Sequence, residues 1–258
     1  MIKNTRIAIR CVPALSLIAL LSATSSVALL RAQDAAAPVV EEEKPRWQSS
    51  AAAGLTLTRG NSDTLLVTAN LQSQRKVDLY EIRMGLDASY GENDNIKATE
   101  SARAYGQYDR LFGERFYGGL RLEVLHDDIA DVDYRATIGP LAGYYFIKKE
   151  KTLLSGELGP AFIYEKQGDD EGGYFTLRLG ERFEHEFSDQ ARVWQSVEFL
   201  PQVDDFDNYL IIAEVGAEAG LTESLSLRTY IQNKYDNQPA PGRKGNDVKV
   251  VAQLAYKF

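Results

Sequence analysis

The chain contains a single cysteine, Cys11, among its 258 residues. Cys11 lies in an N-terminal segment that we expect to be removed on export, so the mature protein would have neither a thiol nor a disulfide. Arg10 precedes this cysteine. Lipid attachment needs a small residue at that position, so we expect no lipoprotein anchor.

Histidine and positive charge are also scarce. The chain has two histidines, and 37 acidic residues outnumber 29 basic ones, for a net charge of −8. Nucleic-acid binding needs a basic surface, so we exclude it. Cleavage after Ala32 would make the protein more acidic, because it removes four basic residues: Lys3, Arg6, Arg10 and Arg31.

Long apolar runs are missing as well. The run from Val12 to Leu21 follows basic residues and precedes a small, polar stretch, and it is short for a membrane helix. This order predicts a signal peptide over residues 1–32, cleaved after Ala28 or Ala32. Residues 33–46, rich in Ala, Pro and Glu, predict a flexible acidic tail. Any membrane insertion must therefore use strands.

From Trp47 to Phe258, apolar and polar residues alternate with a period of two, which predicts strands. Most candidates have the length that a tilted membrane strand needs. The prediction is an all-β fold: one antiparallel up-and-down transmembrane β-barrel of about 12 strands, of the outer-membrane type, over residues 47–258. The strand candidates are 47–58, 64–75, 78–90, 98–111, 115–127, 134–147, 152–166, 174–187, 191–203, 209–221, 225–236 and 247–258.

The last strand carries an apolar face that ends on Tyr256 and Phe258. A terminal aromatic residue on this face is typical of the strand that outer-membrane barrels present to the barrel-assembly machinery. We therefore expect this machinery, outer-membrane lipid and lipopolysaccharide as partners, and Tyr256 and Phe258 as targeting residues. The alternation by itself also permits a soluble β-sandwich or a lipocalin-like barrel, which is the alternative to the membrane barrel.

The predicted connections alternate between short turns and longer acidic loops. In outer-membrane barrels the short turns are periplasmic and the long loops external. With an even number of strands, both termini would be periplasmic. Glu181 and Gln195 interrupt two apolar faces, which we interpret as a bulge nearby or a wrong assignment of the face.

Several short motifs resemble one bacterial family. They are Gly60 to Thr64, Arg115 to Tyr117, Asp133 to Arg135, Gly139 to Gly143, and Leu158 to Pro160. The family is of unknown function, and its members are often labelled salt-induced outer membrane proteins. The resemblance implies an outer-membrane barrel with a role in salt, osmotic or envelope-stress response, and it supplies no catalytic residues.

The sequence gives only weak support for catalysis or metal binding by the loops. His126 and Asp128 are the only catalytic candidates, for a surface hydrolase that activates water at the barrel rim. Acidic loops such as 127–133 and 204–207 could bind divalent cations, although none has the spacing of a calcium loop. We expect no cofactor and no enzyme activity.

The inner face of the predicted barrel carries charges of both signs, which favours a network that fills or narrows the lumen over a wide selective pore. The expected function is a non-enzymatic envelope protein, with a narrow passive channel for small polar solutes as the alternative. The lumen candidates are Glu81, Arg83, Arg103, Arg121, Glu123, Arg135, Glu157, Arg178, Arg182, Glu214, Glu218 and Arg228.

Overall fold

The computed structural model describes residues 47–58, 64–94 and 96–258. The predicted signal peptide, the acidic tail and the loop 59–63 lie outside them. The strands are β1 (Gln48–Thr58), β2 (Thr64–Val77), β3 (Tyr80–Asn93), β4 (Ile96–Leu111), β5 (Phe116–Asp127), β6 (Val132–Lys149), β7 (Thr152–Gln167), β8 (Asp170–Ser188), β9 (Ala191–Pro201), β10 (Tyr209–Gly220), β11 (Leu225–Asp236) and β12 (Asn246–Lys257).

Each strand pairs antiparallel with its neighbours in sequence, and β1 pairs with β12 to close the sheet. This confirms the predicted closed, up-and-down barrel of 12 strands. The seam joins residues 49–53 to residues 254–258, and Ser49 and Phe258 exchange two backbone hydrogen bonds there, at 3.2 and 3.0 Å. By contrast, β1 pairs with β2 along its whole length. No helix in the described part of the chain is long and apolar enough to cross a membrane.

Alternation along the strands separates two walls. Large apolar side chains cover the outer wall, and examples are Leu86, Val124 and Val250, which are 52%, 54% and 65% exposed. Charged and amide side chains point inward, where Asp109 is 1% exposed. The walls thus reverse the usual arrangement of a soluble protein, in which apolar residues are inside.

Two belts of rings bound the outer wall. We call the end of the barrel where β1 begins and β12 finishes the turn end. Stacked pairs there include Tyr80–Tyr108 and Tyr256–Phe258. At the opposite end, the loop end, Tyr134 stacks on Tyr164. Aromatic belts of this kind flank the apolar band of membrane barrels.

The predicted alternation of loop lengths is partly wrong. β3 continues to Asn93 and β4 begins at Ile96, and β7 and β8 are separated by residues 168–169 alone. Gly168 has φ +59°, a conformation that suits such a tight turn. Acidic residues here extend the strands, since charge is compatible with strand backbone that faces water. The longest described connections at the loop end are 202–208 and 237–245.

Our interpretation of Glu181 and Gln195 is also wrong. The register shift between β8 and β9 lies at residues 186–188, so no bulge separates the two residues, and Glu181 pairs with Val197 in regular register. Both side chains occupy outward positions, and Gln195 Nε2 donates to Glu181 Oε2 at 3.3 Å.

Candidate functional site

Many charged side chains of the barrel point into the lumen. All 12 residues proposed from the sequence occupy inward positions on their strands, and most of them line one central cavity of about 280 Å³. The structure brings them together in three groups, at the middle, the turn end and the loop end.

Glu157 on β7 organises the middle of the lumen. Its carboxylate accepts hydrogen bonds from Arg178 on β8 at 2.7 Å and from Arg83 on β3 at 3.2 Å. Gln107 on β4 donates to it at 2.9 Å. Because β3 and β4 are four and three strands away from β7, the contacts of Arg83 and Gln107 cross the lumen, whereas Arg178 lies on the adjacent strand.

A chain of ion pairs continues from this group around the wall. Arg178 pairs with Glu198 at 2.8 Å, and Glu198 lies 3.6 Å from Arg121. Arg121 and Arg103 both contact Glu123, at 2.8 and 2.9 Å. Charges of opposite sign therefore alternate along the network, so that each cation has an anionic neighbour.

A second group lies at the turn end around Glu218, which is 3% exposed. It contacts Arg192 at 2.7 Å, Lys257 at 2.9 Å and Arg228 at 3.2 Å. Arg228 also reaches across to Asn70 on β2 at 3.0 Å. The contacts of this group link β9, β10, β11 and β12, and through Asn70 also β2, on both sides of the seam.

The remaining candidates at the turn end and in the wall have separate partners. Glu81 accepts from Tyr145 at 3.0 Å, and Arg182 pairs with Glu184 on its own strand. Glu214 accepts from the indole of Trp194 at 2.8 Å.

At the loop end, two contacts join opposite walls. Lys234 on β11 pairs with Asp127 on β5 at 3.2 Å, and β5 and β11 are six strands apart in the 12-stranded barrel. Arg135 on β6, which pairs with Glu165, also lies 3.6 Å from Asp236 on β11. These pairs narrow the lumen just below its mouth.

The connection 237–245 lies over this mouth, and we call it the mouth loop. Asn237 donates to the carbonyl of Asp207 at 2.6 Å, and Arg243 pairs with Asp131 at 3.5 Å. Ala240 is buried, 5% exposed. The mouth loop thus contacts two other connections at the loop end and covers part of the opening.

His126 and Asp128 do not form the arrangement considered from the sequence. His126 Nδ1 is bonded to the carbonyl of Asp133 at 2.9 Å, and Asp128 pairs with Lys97 at 3.1 Å. Neither side chain contacts the other.

The acidic loops do not converge on a cation site within the described residues, where no group of three or more His, Cys, Asp or Glu side chains could hold a metal ion. Asp131 and Asp133 instead pair with Arg243 and Lys166.

Sequence reasoning missed several members of the network, among them Asp109, Gln107 and the pair formed by Asp127 and Lys234. Asp109 and Gln107 share the inward parity of Arg103 on β4, so the alternation contained the signal for them. Asp127 was assigned to an acidic loop, which hid its inward position at the end of β5.

The sequence of this barrel matches that of a known protein family. A family model described as "Protein of unknown function, DUF481" matches residues 51–258. The chain belongs to this family. The DUF481 match covers nearly the whole barrel, in agreement with the motifs noted in the sequence. Curated proteins include none with a sequence similar to this chain.

The fold of this DUF481 protein is similar to several solved barrels at low identity. The NanC porin gives a TM-score of 0.48 at 7% identity, over 81% of this chain and 96% of its own. The translocator domain of the autotransporter NalP from Neisseria meningitidis gives 0.46 at 13% identity, over 82% and 87%. The KdgM porin gives 0.44 at 8% identity, over 83% and 99%.

Proposed function

We propose that this protein is a non-enzymatic barrel of the bacterial outer membrane that provides a narrow, gated channel for small polar solutes. The apolar outer wall between two aromatic belts supports insertion in a bilayer. Because the number of strands is even, we expect both chain termini on the periplasmic side. His126 and Asp128 are bonded to other groups, which supports a non-enzymatic role over the hydrolase alternative.

The observation that carries the proposal is the set of ion pairs between opposite walls, above all Lys234–Asp127 and Arg83–Glu157. Charged side chains that meet across a lumen can separate and become hydrated in place. An apolar interior could not open without exposing its surface to water. Both signs are present along the route, so we expect weak selectivity between anions and cations.

The same contacts connect the channel to the salt or osmotic role that the family resemblance implies. The side chains of Lys234 and Asp236 at the loop end are 26% and 20% exposed. Salt screens the attraction between partly exposed charges. The channel would then open more often as ionic strength rises.

Single-channel conductance of the refolded protein in planar bilayers tests the proposal. We expect small discrete steps whose open probability increases with salt. Lys234→Gln should raise the open probability at low salt, while Lys151→Gln, in an exposed turn at the opposite end, should leave it unchanged. Protein that is demonstrably folded, by the change in gel mobility on boiling, yet silent at every salt concentration would contradict the channel.

A further inference from the structure

Glu181 is a carboxylate in the middle of the apolar outer wall. On β8 it lies midway between Phe175, which contacts Phe162 in the loop-end belt, and Phe187, which contacts His185 at the turn end. Along β7, β8 and β9 it is the only ionisable outward residue between these aromatic ends. Gln195 on β9 is the only outward amide in the same region.

Within the described structure, this pair is poorly satisfied. Glu181 has one hydrogen-bond partner, the Gln195 amide at 3.3 Å, although a carboxylate can accept about four bonds. Its cross-strand neighbours are Gly156 and Val197, whose side chains offer no donor. A barrel alone in a bilayer would therefore hold an incompletely bonded carboxylate in hydrocarbon, which is costly at this depth.

We infer that the outer face formed by β8 and β9 around Glu181 and Gln195 is a docking surface for a second copy of this chain. The patch contains one acceptor and one donor that are adjacent. In a two-fold symmetric contact, each Gln195 can donate to the Glu181 of the other copy, so a single patch satisfies both. Because the patch contains both the donor and the acceptor, a second copy of this chain can satisfy it, and no different partner is needed.

The residues on the β10 side of the patch permit close approach. Ala213 and Ala217 occupy outward positions there, beyond β9. On the β7 side, the ring of Phe146 fills the space over Gly156. Small residues let backbones approach closely inside a membrane, where dispersion contacts and hydrogen bonds drive association. This inference needs the barrel to lie in a bilayer but does not need its lumen to conduct, so silent bilayer recordings would leave it standing.

Disulfide trapping in membranes tests the surface. The barrel contains no cysteine, so Cys11→Ser with Val197→Cys gives a full chain with one thiol beside the proposed axis. We expect oxidation in lipid vesicles at low protein density to produce a covalent dimer. The matched control carries Val67→Cys on β2, an outward valine on the opposite side of the barrel, and should remain monomeric.

Removal of the polar pair tests its role. The double variant Glu181→Leu with Gln195→Leu should associate about tenfold more weakly in sedimentation equilibrium, as expected for loss of two equivalent intramembrane hydrogen bonds. Ala69→Leu, at an outward position of β2 on the opposite side of the barrel, adds a leucine away from the patch and should associate like the wild type. Changed gel mobility on boiling shows that each variant is folded. The inference would be overturned if Val67→Cys were trapped as efficiently as Val197→Cys, or if the wild type were monomeric. It would also be overturned if the double variant associated as strongly as the wild type.

Discussion

The indole ring of Trp194 occupies the space that a side chain at Gly216 would need. The two residues face each other across β9 and β10, and a Cβ atom at Gly216 would lie 2.1 Å from Trp194 Cζ2. The inner wall repeats the arrangement, with Tyr105 beside Gly85 and Tyr117 beside Gly143. Rings placed over inner glycines fill the lumen wall without widening the barrel.

Gly216→Ala should therefore destabilise the barrel. The added methyl group must displace the indole or the strand, and overpacking of this kind costs about 1–3 kcal/mol. Urea titration of protein refolded in vesicles, followed by tryptophan fluorescence, measures the free energy of unfolding. Gly106→Ala is the matched control, because its Cβ would have no neighbour within 4 Å, and it should leave stability unchanged or slightly higher.

Glu157→Gln should destabilise the middle of the lumen, because Arg83 and Arg178 lose their shared anion. Arg83 keeps Asp109 and Arg178 keeps Glu198, so the cost should be that of buried hydrogen bonds to a charged group left unmade, about 1–3 kcal/mol. The double variant Glu157→Gln with Arg178→Gln should recover part of this loss, since it removes one of the two cations that share the Glu157 carboxylate. Equal free energies of unfolding for wild type and Glu157→Gln would show that the carboxylate does not hold the network together.

Shortening the mouth loop should increase conductance. Replacement of residues 238–244 by two glycines removes Ala240 and Arg243 from the loop end but leaves β11 and β12 intact. Because the mouth loop covers the opening, we expect larger single-channel steps in planar bilayers. Replacement of the turn-end connection 112–115 by two glycines provides the control for a general effect of loop removal. Unchanged steps in the mouth-loop variant would place the constriction deeper, at the ion pairs.

Phe258→Ser should reduce assembly in cells without preventing folding in vitro. Phe258 is 68% exposed and stacks on Tyr256, so loss of its ring removes little packing. If this ring is read by the assembly machinery, the amount of protein in the outer membrane should fall, while refolding in vesicles stays as efficient as for the wild type. Phe116→Ser, an exposed ring of the same belt on β5, controls for a general loss of aromatic anchoring.

The two-residue alternation predicted the walls well, because a strand places every second side chain on the same side whatever its neighbours are. Arg83, Arg121 and Glu157 could therefore be assigned to the lumen from sequence. Their partners could not, since the contacts between β3 and β7, or β5 and β9, depend on how the closed barrel brings distant strands together.

Strand ends were the weaker part of the prediction. Acidic residues in the segment from Gly91 to Lys97 suggested a loop, yet five of its seven residues belong to β3 and β4. Charge indicates contact with water, and a strand that projects beyond the apolar band meets water just as a loop does. Glu181 presents the opposite case, since its charge suggested a register error where the strand is regular.

The short seam between β1 and β12 gives the folding reaction of this barrel a particular order. Every other strand pair joins neighbours in sequence, so hairpins can form locally with little loss of chain entropy. Among the strand pairings, only the seam between residues 49–53 and residues 254–258 must bring the first and the last strand together. Closure should then be the late and slow step, and until it occurs the free edges of β1 and β12 are open to pairing with another chain.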